Sequence, residues 1–382
     1  MAIHPTFQRR GIVEGFFGPP WSMAHRKAIF EFGAKRGMNT YLYAPKDDPY
    51  HRERWAEPYP DKEWKELVRL VRSAQRRKIH FVYGFHPGKG LRFLDDKPIR
   101  CLFAKAQRFY DAGVRTFAIL FDDIPSRLEH QEDQERFGGS LAKAEALWLR
   151  RILEQQPASW TEAEWWLCPS YYSEDSLLAR TFGSFEPSFL ETLASYLPEQ
   201  IPCLWTGPRV VSKKITLAHV RKISKRIKRR LILWDNYPVN DLSMSAEMHL
   251  SPLSGRDARL PELVYGYLNN PLLQESLSFI PLATCLDYAA RPAAYDPERS
   301  WGSVVRERFG APALRHWHAI REFCEQLNRR KDRSQSASLT PRAKIALAAA
   351  HGYVLKHRRE PWARELRPWM ALLEKSLTRG SV

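Results

Sequence analysis

The stretch TFAILFDD, residues 116–123, runs through five consecutive apolar side chains and stops on two carboxylates. A continuous apolar run of this kind reads as a strand buried on both faces, as parallel sheets require. Seven further runs share its character: GIVEGFFG (11–18), MNTYLYAPKDD (38–48), IHFVYGFHP (79–87), EWWLCPSYY (164–172), PCLWTG (202–207), LILWDN (231–236) and LVYGYLNN (263–270). Amphipathic helical patterns lie between them, among them residues 61–78 and 141–155, with Asp61 and Ser140 placed as N-caps. Eight strands alternating with helices predict a closed (β/α)₈ TIM barrel. No GxGxxG follows any strand, which argues against a doubly wound dinucleotide fold.

The alternation ends near residue 298. The expected organisation is therefore a barrel over 1–297 and a C-terminal helical region over 298–382. Helical patterns at 300–329 and 342–378 are separated there by the polar, linker-like SQSASLTP (334–341).

Nearly every strand candidate ends in polar or turn residues: Gly15, Lys46-Asp47-Asp48, His86, Asp122-Asp123, Tyr172, Thr206-Gly207, Asp235-Asn236 and Asn269-Asn270. In a barrel these positions meet at the C-terminal rim, where the active sites of this fold sit. Successive strand residues point to opposite faces, so Asp122 and Asp123 share a pocket only if the backbone bends there. Mutual repulsion would then keep one protonated and the other ionised, the division that a glycosidase needs. Taken alone, the motif also reads as one helix cap beside a solvated carboxylate. WDNYPVND (234–241) sets an indole among amides and carboxylates, as a sugar subsite or as a turn-rich loop. Lys46 reads as a site residue or as a surface lysine.

Composition narrows the field. Hydrophobic residues make up 44% of the 382, enough for a large core. The five cysteines lie far apart without paired spacing, which argues against a disulfide framework and a zinc site and fits a reducing, cytoplasmic compartment. No apolar run is long enough to span a membrane. Sixty Lys and Arg against 43 Asp and Glu leave a net charge of +17, concentrated in RSAQRRK (72–78), RKISKRIKRR (221–230), NRRKDR (328–333) and KHRR (356–359). The second cluster interleaves apolar residues at helical spacing and reads as a solvated helix face, with a polyanion-binding surface as the alternative. No zinc-finger or RNA-recognition signature accompanies it, so nucleic acid is not the expected partner.

The segments EGFFGPPWS (14–22), GMNTYLYAPKDDPYHRERWAEPYP (37–60), FAILFDDI (117–124), LWTGPRVVSKKI (204–215), WDNYPVND (234–241) and AYDPERSW (294–301) resemble, in order, the catalytic domain of glycoside hydrolase family 84. These are β-N-acetylglucosaminidases, protein O-GlcNAcases among them. The resemblance runs from about residue 11 to 301.

It implies retaining, exo-acting hydrolysis of terminal β-linked N-acetylglucosamine without cofactor or metal, the substrate's own acetamido group serving as nucleophile through an oxazoline. By it, Asp122 orients the acetamido group and Asp123 is general acid, then general base. Tyr172 would donate to the acetamido oxygen, and Trp234, Cys168, Thr206 and Val210 would wall the acetyl methyl. Gly15, Lys46 and Asn270 would lie near the 3-hydroxyl, Asp241 would take the 4- and 6-hydroxyls, and Asn236 would brace Asp122 and the sugar. The substrate implied is an N-acetylglucosamine-bearing glycoconjugate, with glycoprotein as one form. Phe17 departs from the family's more frequent tyrosine, and Leu242 stands where an aromatic is common; both bear on aglycone preference. Two rivals remain at this stage: an endo-acting glycosaminoglycan hydrolase of the same fold, and a non-catalytic sugar or nucleic-acid binder.

Overall fold

The structure, a computed structural model, describes residues 5–88, 90–329 and 340–378. Eight parallel strands close into a barrel in sequence order: β1 (Arg9–Glu14), β2 (Thr40–Tyr43), β3 (His80–Phe85), β4 (Thr116–Leu120), β5 (Glu164–Cys168), β6 (Cys203–Trp205), β7 (Leu231–Asp235) and β8 (Val264–Asn269). The barrel shuts where β8 returns to β1, pairing Leu268 with Gly11 and Asn269 with Ile12. All eight expected strands are present, each shorter than its apolar run because the polar tail belongs to the rim loop.

The apolar runs are continuous because both faces of each strand are buried. In β4, Phe117 and Ile119 pack outward against the helices. Ala118 and Leu120 point into the lumen with Val13, Leu42, Val82, Trp166, Ile232 and Leu268. Cys168, Tyr172 and Trp234 belong to the same inner cluster, so the packed lumen continues upward into the rim.

The outer layer comprises α1 (Met23–Ala34), α2 (Asp61–Gln75), α3 (Lys97–Asp111), α4 (Gln131–Phe137), α5 (Leu141–Gln155), α6 (Ser176–Phe182), α7 (Phe189–Tyr196), α8 (Leu217–Ile227) and α9 (Glu275–Ala290). Ser140 caps α5 as expected, accepting from the Lys143 amide. Asp61 does not cap α2. Pro60 holds that position in extended conformation, and Asp61 falls in the first turn with Glu63, where it meets the positive end of the helix dipole.

The C-terminal helices are α10 (Pro297–Phe309), α11 (Leu314–Asn328), α12 (Pro341–Lys356) and α13 (Pro361–Thr378). Their core is not theirs alone. Leu277, Ile280 and Ala283 of α9, with Met248 and Leu250 from the loop after β7, join Trp301, Trp317, Phe323, Leu366 and Leu373 in one cluster. The second core thus draws on residues from both sides of position 298. Residues 334–339 of the expected linker, and 330–333 of the basic NRRKDR cluster, lie outside the described residues. Among the described residues no helix is long and apolar enough to cross a membrane.

The basic helix α8 buries Leu217, Val220, Ile223 and Ile227 and turns its charges outward. Several of those charges are engaged. Arg226 bonds Glu191 at 2.6 Å and Lys222 bonds Glu174 at 2.7 Å. Arg229 donates to the Ala194, Leu197 and Pro198 carbonyls at the end of α7. An arginine there satisfies carbonyls that the helix itself cannot, and complements its negative end. Arg229→Glu should therefore lower the unfolding free energy by about 1–3 kcal/mol in urea denaturation. Exposed Lys225→Glu should stay within about 0.5 kcal/mol of the unaltered chain.

Candidate active site

The rim loops enclose one pocket of about 210 Å³, and all twelve residues expected at the site line it: Gly15, Lys46, Asp122, Asp123, Cys168, Tyr172, Thr206, Val210, Trp234, Asn236, Asp241 and Asn270. They come from the ends of seven different strands, so the site exists only because the barrel closes.

Asp122 follows β4 in the inward phase set by Ala118 and Leu120. Asp123 would point outward on a straight strand. Instead its backbone turns left-handed, at φ 61°, which returns its carboxylate to the pocket. Among non-glycine residues Asp and Asn tolerate this region best, so the turn and the acid are served by one side chain.

The two carboxylates are shifted in opposite directions. Asp122 is buried, and burial alone would raise it; the Lys46 ammonium, bonded to Oδ2, and His86 outweigh that and take it down to about 2. Its Oδ1 has no hydrogen-bond partner among the described residues. Asp123 is raised above the ordinary carboxylate range, by burial and then by the charge of Asp122. Tyr172 Oη donates to Asp123 Oδ1 at 2.7 Å, and burial with the two aspartates holds that phenol protonated. Burial and its neighbours therefore favour the anion at Asp122 and work against it at Asp123.

The remaining walls are built around an indole. Trp234 lies against the backbone of Gly15, where an added Cβ would come within 2.2 Å of the ring, so only glycine admits it. Trp234 Nε1 donates to Asn236 Oδ1 at 2.9 Å, and Asn270 Nδ2 donates to the same oxygen at 2.9 Å. Asn236 Nδ2 donates to the Val210 carbonyl at 2.9 Å. Asn236 therefore ties β7, β8 and the loop after β6 together and makes no bond to Asp122. Asn270 Oδ1 accepts from the Gly15 amide at 3.2 Å. The Thr206 hydroxyl is spent on the Arg209 carbonyl at 3.1 Å, and burial holds the Cys168 thiol protonated. Asp241 Oδ2 accepts from the Phe17 amide at 2.8 Å, and burial raises its carboxyl.

Some rim residues serve structure rather than the pocket. Asp48 accepts from Tyr43 and Tyr59 at 2.6 and 2.7 Å, folding the loop that presents Lys46. Asp235 is paired with Arg256 at 2.6 Å, and Asn240 bonds the Glu247 carbonyl and Gln274. Sequence reasoning assigned no role to His86, which lies against Asp122, nor to Leu177, Leu178, Thr181 and Phe182 of α6, which close one side of the mouth. The α6 residues carry only an ordinary amphipathic signal. Among the described residues no group of His, Cys, Asp and Glu is placed to hold a metal ion.

The family model described as beta-N-acetylglucosaminidase matches residues 10–325. The chain belongs to this family. The match reaches past the resemblance seen in the sequence, taking in α10 and most of α11. The family is one of glycoside hydrolases. The protein O-GlcNAcases of mouse and rat are each 36% identical to the chain over 275 residues, which are 72% of this chain and 29% of the relative. The chain thus matches under a third of the length of those curated relatives. A solved structure of a Thermobaculum terrenum O-GlcNAc hydrolase variant superposes with a TM-score of 0.88 at 30% identity, covering 96% of this chain and 82% of that one.

The electrostatic arrangement carries a pH signature. Asp122 must be ionised to act as an anion, and with its carboxyl near 2 no acid limb from it should appear in the working range. Lys46→Met removes the charge that overcomes burial. Asp122 should then rise, and an acid limb should enter the kcat/KM profile, activity falling as pH drops through the new value. A Lys46→Met profile with no acid limb would mean that Lys46 is not what holds Asp122 down.

Proposed function

We propose that this chain removes single terminal β-linked N-acetylglucosamine residues from glycoconjugates by substrate-assisted, retaining hydrolysis. The observation that carries the reading is the pairing at the end of β4: Asp122 anionic on Lys46 with one oxygen unpartnered, and Asp123 raised and bonded to Tyr172. In this mechanism Asp122 Oδ1 accepts the acetamido N–H and pushes charge toward its carbonyl oxygen. That oxygen attacks the anomeric carbon as the glycosidic bond breaks, and the Asp123 proton goes to the departing oxygen. The product of this step is a bicyclic oxazoline. Asp123, now a carboxylate, takes a proton from water, and the hydroxide adds at the anomeric carbon from the face the aglycone left, as the bond from that carbon to the acetamido oxygen breaks and the acetamide is restored.

The physical advantage is that the nucleophile arrives already tethered. Well-oriented intramolecular attack can remove about 7–11 kcal/mol of barrier, and the protein need only orient it and move a proton. The wall formed by Trp234, Cys168, Thr206 and Val210 suits an acetyl methyl and gives glucosides nothing to fill it. The pocket is smaller than the roughly 300–1,000 Å³ of drug-sized ligand sites, which supports removal of one sugar over cleavage within a chain. Glycoprotein is the aglycone suggested by the names of the mouse and rat relatives. The five cysteines, all free and four of them buried, support a reducing, cytoplasmic setting.

Hydrolysis of an aryl β-N-acetylglucosaminide, with the aryl β-glucoside untouched, tests the reaction class. Proton NMR should find the β anomer first, and a thiazoline mimic of the oxazoline should inhibit strongly. An α-configured first product, or a sugar trapped on a carboxylate, would overturn the mechanism.

The aspartates should separate by leaving group. Asp123→Asn should slow substrates with poor leaving groups by about 10²–10⁴-fold and spare activated aryl glycosides. Asp122→Ala should slow both alike, and the reverse pattern would exchange the two roles.

A further inference from the structure

His86 stands at the end of β3, 2% exposed, and Nε2 lies 2.7 Å from the Asp122 backbone carbonyl. A carbonyl can only accept, so Nε2 carries the proton. We infer that His86 is a positioning residue for the Asp122–Asp123 pair, acting through the peptide that joins them; the inference rests on the function proposed above.

The carbonyl it holds is the one at which the chain leaves the strand. That oxygen belongs to the peptide plane whose rotation is set by ψ of Asp122 and φ of Asp123, the two torsions that aim the two carboxylates. Asp123 sits in the left-handed region at φ 61°, a conformation that surrounding structure must maintain. A buried carbonyl leaving a sheet also requires a donor. His86 supplies that donor and, through it, the brace.

The ring itself is fixed. It meets the His51 ring edge-on with centroids 6.2 Å apart, and the His86 amide donates to the His51 carbonyl at 3.2 Å. His51 Nδ1 is anchored on the Gly84 carbonyl at 2.9 Å. Gly84 permits this packing, since a Cβ there would lie 3.2 Å from His51 Cε1 and 2.9 Å from Leu120 Cδ1.

Its charge state matters as well. Burial and Lys46 push the imidazole down to about 4, so it is neutral at pH 7. Nε2 is 3.9 Å from Asp122 Oδ1, too far for a hydrogen bond. Its proton is committed to the carbonyl, which leaves that carboxylate oxygen open for the substrate. An arginine or lysine at this place would take the oxygen instead.

A double-mutant cycle tests this with an activated aryl β-N-acetylglucosaminide. His86→Phe keeps a ring and loses the donor. It should lower kcat by roughly 10²-fold, the scale of a misplacement of about 1 Å, with KM little changed. Binding of a thiazoline mimic should weaken by the same factor, and binding of free N-acetylglucosamine should not. His86→Gln, whose amide can reach the same carbonyl, should recover most of the loss. In an Asp122→Ala background His86→Phe should cost little more, because it acts through a carboxylate that is already gone. His86→Ala takes its place in the cycle if the Phe variant does not fold. Losses that multiply across the cycle, or a loss confined to KM, would overturn the inference while leaving the function intact. No turnover by the unaltered chain would sink both.

Discussion

Two consecutive residues must put their side chains into one pocket, and a β-strand cannot do that. Much of the site's architecture is an answer to this constraint. The lumen register of β4 delivers Asp122, and a left-handed turn at Asp123 delivers the second carboxylate. Such a conformation costs about 1–3 kcal/mol for most residues and less for an aspartate. Once both are present at this separation, they cannot both be comfortable anions. Lys46 resolves the conflict by binding Asp122, while burial and the charge of Asp122 raise Asp123 against the opposing pull of the Tyr172 hydroxyl. The difference between two chemically identical groups is thus created chiefly by burial and by the loop after β2.

The strands were legible because a parallel barrel buries both faces, so its strands are written as unbroken apolar runs that stop where solvent begins. Their polar ends marked the rim for the same reason. Within the rim, residue type alone could not divide labour. Asp48 and Asp235 look in sequence like Asp122, yet tyrosines and Arg256 absorb them. Asp61 looked like a cap and is displaced by Pro60, whose fixed φ suits the boundary. His86 was visible as a polar strand end, but its partner is a backbone carbonyl from another strand, a contact that no spacing encodes. The individual roles of the twelve pocket residues came from family resemblance, and Asn236 shows its limit: here that amide ties three loops together and makes no bond to Asp122.

The mouth differs in character from the floor. Leu177, Val211 and Leu242 are apolar and exposed, Leu242 at 64%, while the floor carries the charges. Arg52 stacks over the pocket-lining Phe17 at 4.9 Å. Floor and mouth are therefore chemically distinct surfaces of one pocket.

The loop after β7 carries Asp241 into the pocket wall and then runs on to the C-terminal helices. Trp369 of α13 donates to the Ala246 carbonyl at 3.0 Å, and Asn328 of α11 brackets Met248 through its amide and carbonyl at 3.1 and 3.0 Å. Trp301 of α10 donates to the Leu250 carbonyl at 2.7 Å. Three helices thus grip this one loop at every second residue, 246, 248 and 250, a few residues beyond the pocket-lining Asp241. The last third of that grip comes from the far end of the chain. The helical region is therefore part of the rim's scaffolding, tying the segment that follows Asp241 to helices outside the barrel wall.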